Sequence, residues 1–329
     1  MIRVKLAIVL ALIPTLSLAE PRAPKVTIGG YLETYYQVNL RFPADRTTNL
    51  RGFDGRDRTF TISNAVLDAK GEHGPLAARL VLQIGETPTI YYGAEQDWKY
   101  IQQATLAYTT HDTLIEAGLF PSPIGPEVFP IKDNWNWSRS DLFYGLPFYH
   151  TGARVSHPLG GGWTATAHVY NGWSSVVDTN DSPSVAASLA YASKRATAQL
   201  LYFGGIETAT WRNLFDGYAQ LAATDELSVL AHVDGGFDRD TTWIASALAA
   251  KYSIAKHVFA AARGDVFDQR GAQIFFPTPW IASATATLAW QIDGLSVRLE
   301  YRHDHAKTDA FSVQHHTRDT LTLGATAWF

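Results

Sequence analysis

Apolar and polar residues alternate one by one along much of this chain. Leu295, Val297, Leu299 and Tyr301 interleave with Ser296, Arg298, Glu300 and Arg302. At the C-terminus Leu321, Leu323, Ala325, Ala327 and Phe329 interleave with Thr320, Thr322, Gly324, Thr326 and Trp328. A period of two is that of a strand whose two faces meet different surroundings. Stretches of this kind recur, and sixteen strands are expected, near 26–39, 58–71, 75–86, 98–110, 113–120, 148–157, 163–171, 184–192, 196–204, 212–223, 226–237, 241–253, 257–267, 280–292, 295–304 and 317–329.

The connections between them decide the architecture. Every second one is tight: His73-Gly74, His111-Asp112, 160–162, 193–195, Thr224-Asp225, 254–256 and Asp293-Gly294. The others are long, at 40–57, 87–97, 121–147, 172–183, 205–211, 268–279 and 305–316, with 238–240 short where a long one is due. Sorting by parity puts turns at one end of the array and loops at the other, the plan of outer-membrane barrels. A soluble sandwich has no reason to sort them so. The strands are also long enough to cross hydrocarbon at a tilt, for which ~9–11 residues suffice. The expected fold is therefore all-β: a transmembrane, antiparallel, up-and-down β-barrel of about sixteen strands with a long third outer loop, whose place in the lumen is expected by analogy.

The two faces agree with this. Arg298, Glu300, Arg302 and Asp304 share one side of one strand. A dry core holding all four would face desolvation of several kcal/mol per ion, so a wet interior is expected. The same parity turns Glu33, Arg79, Glu116, Arg154, Asp216, Asp234, Arg263 and Asp265 inward. Aromatic residues near strand ends, among them Tyr35, Trp98, Trp163, Tyr170, Trp211 and Tyr252, would form the two interfacial girdles.

The first residues look like a secretory signal. Arg3 and Lys5 precede an apolar run from Leu6 to Ile13, and Ser17-Leu18-Ala19 supplies small residues for cleavage. Cleavage after Ala19 divides the chain into a signal peptide, 1–19, and a barrel, 20–329. Losing Arg3 and Lys5 leaves 25 basic against 31 acidic residues, a net charge of −6. With no cysteine in the chain, neither a lipoprotein nor a disulfide scaffold is an option. Past residue 20 no apolar run reaches the ~20 residues a membrane helix needs. A sequence pI near 6.2 without a basic block argues against nucleic acid as a partner. The chain ends on Phe329 inside its last strand, with Gly324 five residues earlier, which resembles the signal read by the barrel assembly machinery.

Loop 121–147 is the longest, and its prolines and aromatics argue for order. Together with four other segments it carries a resemblance. Gly30-Tyr31-Leu32-Glu33-Thr34-Tyr35-Tyr36, Ile101-Gln102-Gln103-Ala104, Ala117-Gly118-Leu119-Phe120 running into Gly125-Pro126-Glu127, Asn134 to Ser140 with Pro147 to Gly152, and Asn171-Gly172-Trp173 resemble, in this order, the OmpL-like β-barrel porin-2 family. The resemblance implies a pore in the outer membrane of a Gram-negative bacterium and implies no particular solute. In general porins the third loop folds inward and narrows the channel. By that analogy, and because charged constrictions select ions, Glu127, Lys132, Asp133, Arg139 and Asp141 are the expected constriction residues of the loop. Glu33, Arg79, Glu116, Arg154, Arg298, Glu300 and Arg302 are the expected lining of the wall.

The expected function is passive diffusion of ions and small hydrophilic solutes. Outer-membrane lipid, the assembly machinery and, by analogy with general porins, two further copies in a homotrimer are the expected partners. No cofactor is called for. His303, His305, His315 and His316 are weak candidates for a metal and read first as a solvated polar loop; Asp45, Asp54 and Asp57 read the same way for calcium. No nucleophile elbow, P-loop, dinucleotide or zincin motif is present, so an enzyme is not expected. The alternatives are a non-conducting surface or adhesin-type barrel and, behind it, an outer-membrane hydrolase.

Overall fold

A computed structural model describes residues 23–178, 180–207, 209–311 and 315–329. The expected signal peptide lies outside the described residues. Sixteen strands follow one another: β1 (Lys25–Asn39), β2 (Phe60–His73), β3 (Leu76–Ile84), β4 (Ile101–Thr110), β5 (Thr113–Pro121), β6 (Tyr149–Gly160), β7 (Trp163–Tyr170), β8 (Ser184–Ala192), β9 (Ala196–Glu207), β10 (Thr210–Ala222), β11 (Leu227–Phe237), β12 (Thr241–Ala255), β13 (Val258–Gly271), β14 (Trp280–Ile292), β15 (Leu295–Ala306) and β16 (Thr317–Trp328). Each pairs antiparallel with the next, and β1 pairs with β16 from Tyr31↔Trp328 to Asn39↔Thr320, so the barrel closes and leaves no sheet edge.

The alternation behaves as expected. On β15, Leu299 and Tyr301 are exposed while Ser296, Arg298, Glu300, Arg302 and Asp304 are buried; on β16, Leu321 and Leu323 are exposed while Thr320, Thr322 and Thr326 are buried. The outward face is apolar around the barrel, with Ile28, Leu67, Leu106, Leu200, Phe215, Ile244, Leu248 and Leu288 all exposed. Parity also corrects the girdle. Tyr35 and Tyr170 are each 1% exposed and face inward, because Tyr35 shares the parity of Glu33 and Gln37, and Tyr170 stacks on His150 at 4.0 Å.

The outer connections are 40–59, 85–100, 122–148, 171–183, 208–209, 238–240, 272–279 and 307–316. One differs from expectation: 205–211 shrinks to two residues. Gly204 and Gly205 continue β9 instead of ending it. A Cβ on Gly204 would lie 2.3 Å from the Tyr202 hydroxyl, and one on Gly205 would lie 1.9 Å from Ser184 Oγ. The glycines answer to crowding inside the ladder, not to a turn. Two short helices interrupt the loops, α1 (Glu86–Tyr91) and α2 (Asp141–Tyr144).

Candidate functional site

The loop 122–148 leaves β5, crosses the barrel and is fixed to the far wall. Its route can be followed by hydrogen bonds to inward side chains of strands distant in sequence. Glu33 on β1 accepts the Ile131 N–H at 2.6 Å. Glu300 on β15 accepts from Trp137 N at 2.5 Å and Ser138 N at 2.9 Å. Asp265 on β13 accepts the Asp141 N–H at 2.7 Å. In the other direction Arg298 donates to the Asn136 carbonyl at 3.1 Å, and Arg263 to the Ser138 carbonyl at 2.7 Å. Arg302 donates to the Arg139 carbonyl and, at 2.7 Å, to the Asp141 carboxylate. Inward carboxylates thus meet loop N–H groups and inward arginines meet loop carbonyls, so the backbone of an irregular segment is satisfied at membrane depth.

Packing holds the same route. Trp137 is fully buried and lies on Gly324, where a Cβ would come within 2.2 Å of its ring. Ile124, Leu142 and Leu146 join an apolar cluster with inward Phe203, Leu214, Trp243, Ala245 and Phe267. A second cluster joins four outer loops: Phe53 from 40–59, Tyr91 and Tyr92 from 85–100, Phe129 and Phe143 from 122–148, and Val176 from 171–183. Sequence reasoning missed these aromatics, whose only signal was density in the loops. Glu86 on α1 adds a polar clamp, accepting from the Tyr35 hydroxyl and from Arg56 at 2.9 Å. Burial holds its carboxyl above the usual value, against the lowering pull of Tyr35 and Arg56.

The expected site residues fall into distinct settings. Glu33, Arg139, Asp141, Arg298, Glu300 and Arg302 are each at most 1% exposed, against protein on every side. Arg139 donates to its own loop, to the carbonyls of Val128, Phe129 and Trp137, with its guanidinium 4.0 Å from the Phe53 ring. Glu127 accepts from Ser140 and from Arg263 at 3.0 Å. Lys132 and Asp133 pair with each other at 2.8 Å, and their side chains are 28% and 49% exposed. Glu116 and Arg154 pair across β5 and β6. Arg79 is exposed and pairs with Asp68 at 2.6 Å. The histidines stay apart: His303 bonds Asp319 at 2.8 Å, His316 bonds Asp309 at 3.1 Å, and His305 packs on Trp280. Gly324 faces inward beneath Trp137, and Phe329 is exposed at the end of the last strand.

So seated, the loop divides the lumen. Between it and β3–β5 lies a cavity of about 250 Å³ bordered by Arg79, Gln102, Gln103, Glu127 and Asp133. On its other side, against β10–β13, is a cavity of about 40 Å³ bordered by Glu127, Asp133, Gln220, His232 and Arg263. Glu127 and Asp133 touch both.

Solved structures share this architecture at low sequence identity. The in-vitro folded OmpT of Vibrio cholerae in its trimer form aligns at a TM-score of 0.65 and 10% identity, over 94% of this chain and 100% of that one. The anion-selective porin from Comamonas acidovorans gives 0.64 and 12%, over 93% and 100%. Salmonella typhi OmpF, in complex with daunomycin, gives 0.63 and 13%, over 93% and 98%. These likenesses concern the fold. No curated protein matches the chain. The family model described as "Putative beta-barrel porin-2, OmpL-like" matches residues 25–329, nearly the whole barrel, and the chain belongs to that family.

Proposed function

We propose that the protein is a narrow passive channel of the Gram-negative outer membrane, passing ions and small hydrophilic solutes down their gradients. One observation carries the reading: an ordered loop crosses the lumen and borders a cavity of about 250 Å³ beside polar and charged side chains. At ~30 Å³ per water that volume equals about eight waters, enough for a hydrated ion and restrictive for anything much larger. Arg79, Glu127, Lys132 and Asp133 set the field along this path. Glu33, Arg139, Asp141, Arg298, Glu300 and Arg302 act one step back, holding the loop where it narrows the lumen. The Glu116–Arg154 pair neutralises its stretch of wall.

Delivery follows the same reading: the signal peptide is cleaved near Ala19, and the assembly machinery engages the last strand through Phe329. Here Gly324 serves the loop as well, as the floor under Trp137. A homotrimer is supported by the trimer form in which the Vibrio cholerae OmpT structure is described.

Planar-bilayer recordings test the function. The wild-type protein is expected to give discrete, small conductance steps, and a variant lacking residues 127–141 steps several-fold larger. Silent wild-type protein would favour a non-conducting surface barrel, and lipid hydrolysis by the purified protein an enzyme. Equal conductance in wild type and deletion would remove the loop from the path.

A further inference from the structure

Two inward carboxylates face each other on β10 and β11. Asp216 and Asp234 are direct cross-strand partners, and His232, two residues before Asp234, points to the same side. All three are buried, at 4%, 1% and 3% exposure. One ligand atom from each, a carboxylate oxygen or an imidazole nitrogen, lies within 4.8 Å of the other two. Asp216 is served on both oxygens: Oδ2 is 2.6 Å from His232 Nε2, and Oδ1 accepts the Gly125 N–H at 3.2 Å. Asp234 is not. Neither of its oxygens has a hydrogen-bond partner among the described residues.

That arrangement is unfavourable as it stands. Like charges directly opposite in a ladder repel, and a buried carboxylate with no partner is among the most expensive groups a protein can hold. Other inward aspartates have cations beside them: Asp304 meets Arg51, Arg302 and Arg318, and Asp265 meets Arg263. Here the neighbour is an imidazole. We infer that Asp216, His232 and Asp234 form a binding site for one divalent transition-metal cation of the Zn²⁺ type. Two carboxylates with one neutral imidazole balance a 2+ charge, mix the oxygen and nitrogen donors such ions accept, and leave a fourth position for water. Calcium, which takes six to eight oxygens, fits this donor set poorly.

Ligand atoms at ~2.1 Å from a tetrahedral ion sit about 3.4 Å apart. The Nε2–Oδ2 separation of 2.6 Å therefore opens by about 0.8 Å when the ion enters. The ion takes the position between these two atoms, and His232 stays a neutral imidazole with its one proton on Nδ1. His232 borders the 40 Å³ cavity beneath the inner loop, which gives the ion an approach. Through the Gly125 N–H the site also touches the loop at its root.

The test uses the mature full-length protein in detergent, stripped with a chelator and titrated with Zn²⁺ alone, followed by calorimetry and by metal analysis after gel filtration. One Zn²⁺ per chain is expected. Asp234→Asn and His232→Ala are each expected to weaken binding at least tenfold. Without zinc, Asp234→Asn is expected to unfold no lower in temperature than wild type, since it removes an unpartnered charge; at a zinc concentration that saturates only wild type, zinc should raise the unfolding temperature of wild type clearly more than that of this variant. A variant with His303, His305, His315 and His316 all changed to Ala is expected to keep its one Zn²⁺. No zinc on wild type, wild-type affinity in Asp234→Asn, or loss of zinc in the four-histidine variant would each overturn the inference.

Discussion

β15 and β3 both turn charge toward the inside of the barrel, with opposite results. On β15, Arg298, Glu300, Arg302 and Asp304 are at most 1% exposed, each bonded to the inner loop or to a neighbouring charge. On β3, Arg79 stays exposed beside the larger cavity, paired only with Asp68. The two stretches carry the same alternation, so the difference lies in what rests against them. The loop covers the β13–β1 side and leaves a cavity on the β3–β5 side. Alternation decides which way a side chain points; whether that side is wet depends on a loop that is not adjacent to either strand in sequence.

Substitutions can break or sharpen this contrast. The largest effect is expected from Arg302→Met, which leaves the buried Asp141 without its arginine and removes the bond to the Arg139 carbonyl. Losing one partner of a buried pair costs about 3–5 kcal/mol, to be read in urea unfolding of the refolded protein, and the freed loop should make single-channel current noisy. Glu300→Gln is expected next, at about 1.5–3 kcal/mol, because a charged acceptor of two loop N–H groups becomes neutral. Gly324→Ala drives a methyl into the Trp137 ring; overpacking of this kind costs about 1–3 kcal/mol, with a change in tryptophan emission as Trp137 shifts. Arg79→Gln should be the mildest for stability, within about 1 kcal/mol, since its pair is exposed. It should nonetheless move the reversal potential in a salt gradient toward cations by removing positive charge from the open side. A stability loss at Arg79 as large as at Arg302 would erase the distinction between the two walls.

Much of the barrel was legible from local pattern. Strands such as 184–192 and 280–292 coincide with β8 and β14 in both limits, because alternation and turn residues are local signals. The β9–β10 connection was misread because Gly204-Gly205 looks like a turn until Ser184 and Tyr202 are seen crowding it. The inward parity of Asp216 and Asp234 could be read from sequence. Their meeting with His232 could not, since it depends on cross-strand register. The loop residues gave the reverse case. Glu127 to Asp141 stood out as an ordered charged segment, yet nothing in their order tells Lys132 and Asp133, which reach water, from Arg139 and Asp141, which do not.

Because the chain contains no cysteine, single thiols can be introduced one at a time without background. The most direct test compares Gln103→Cys, which borders the larger cavity, with Thr287→Cys on β14, where the wild-type hydroxyl bonds Asn136 and Glu300 beneath the loop. With a charged methanethiosulfonate reagent in the bath, conductance through the Gln103→Cys channel should fall in discrete steps, while the Thr287→Cys channel should conduct unchanged over the same interval. Equal modification of both positions would mean that the loop does not seal one wall and open the other.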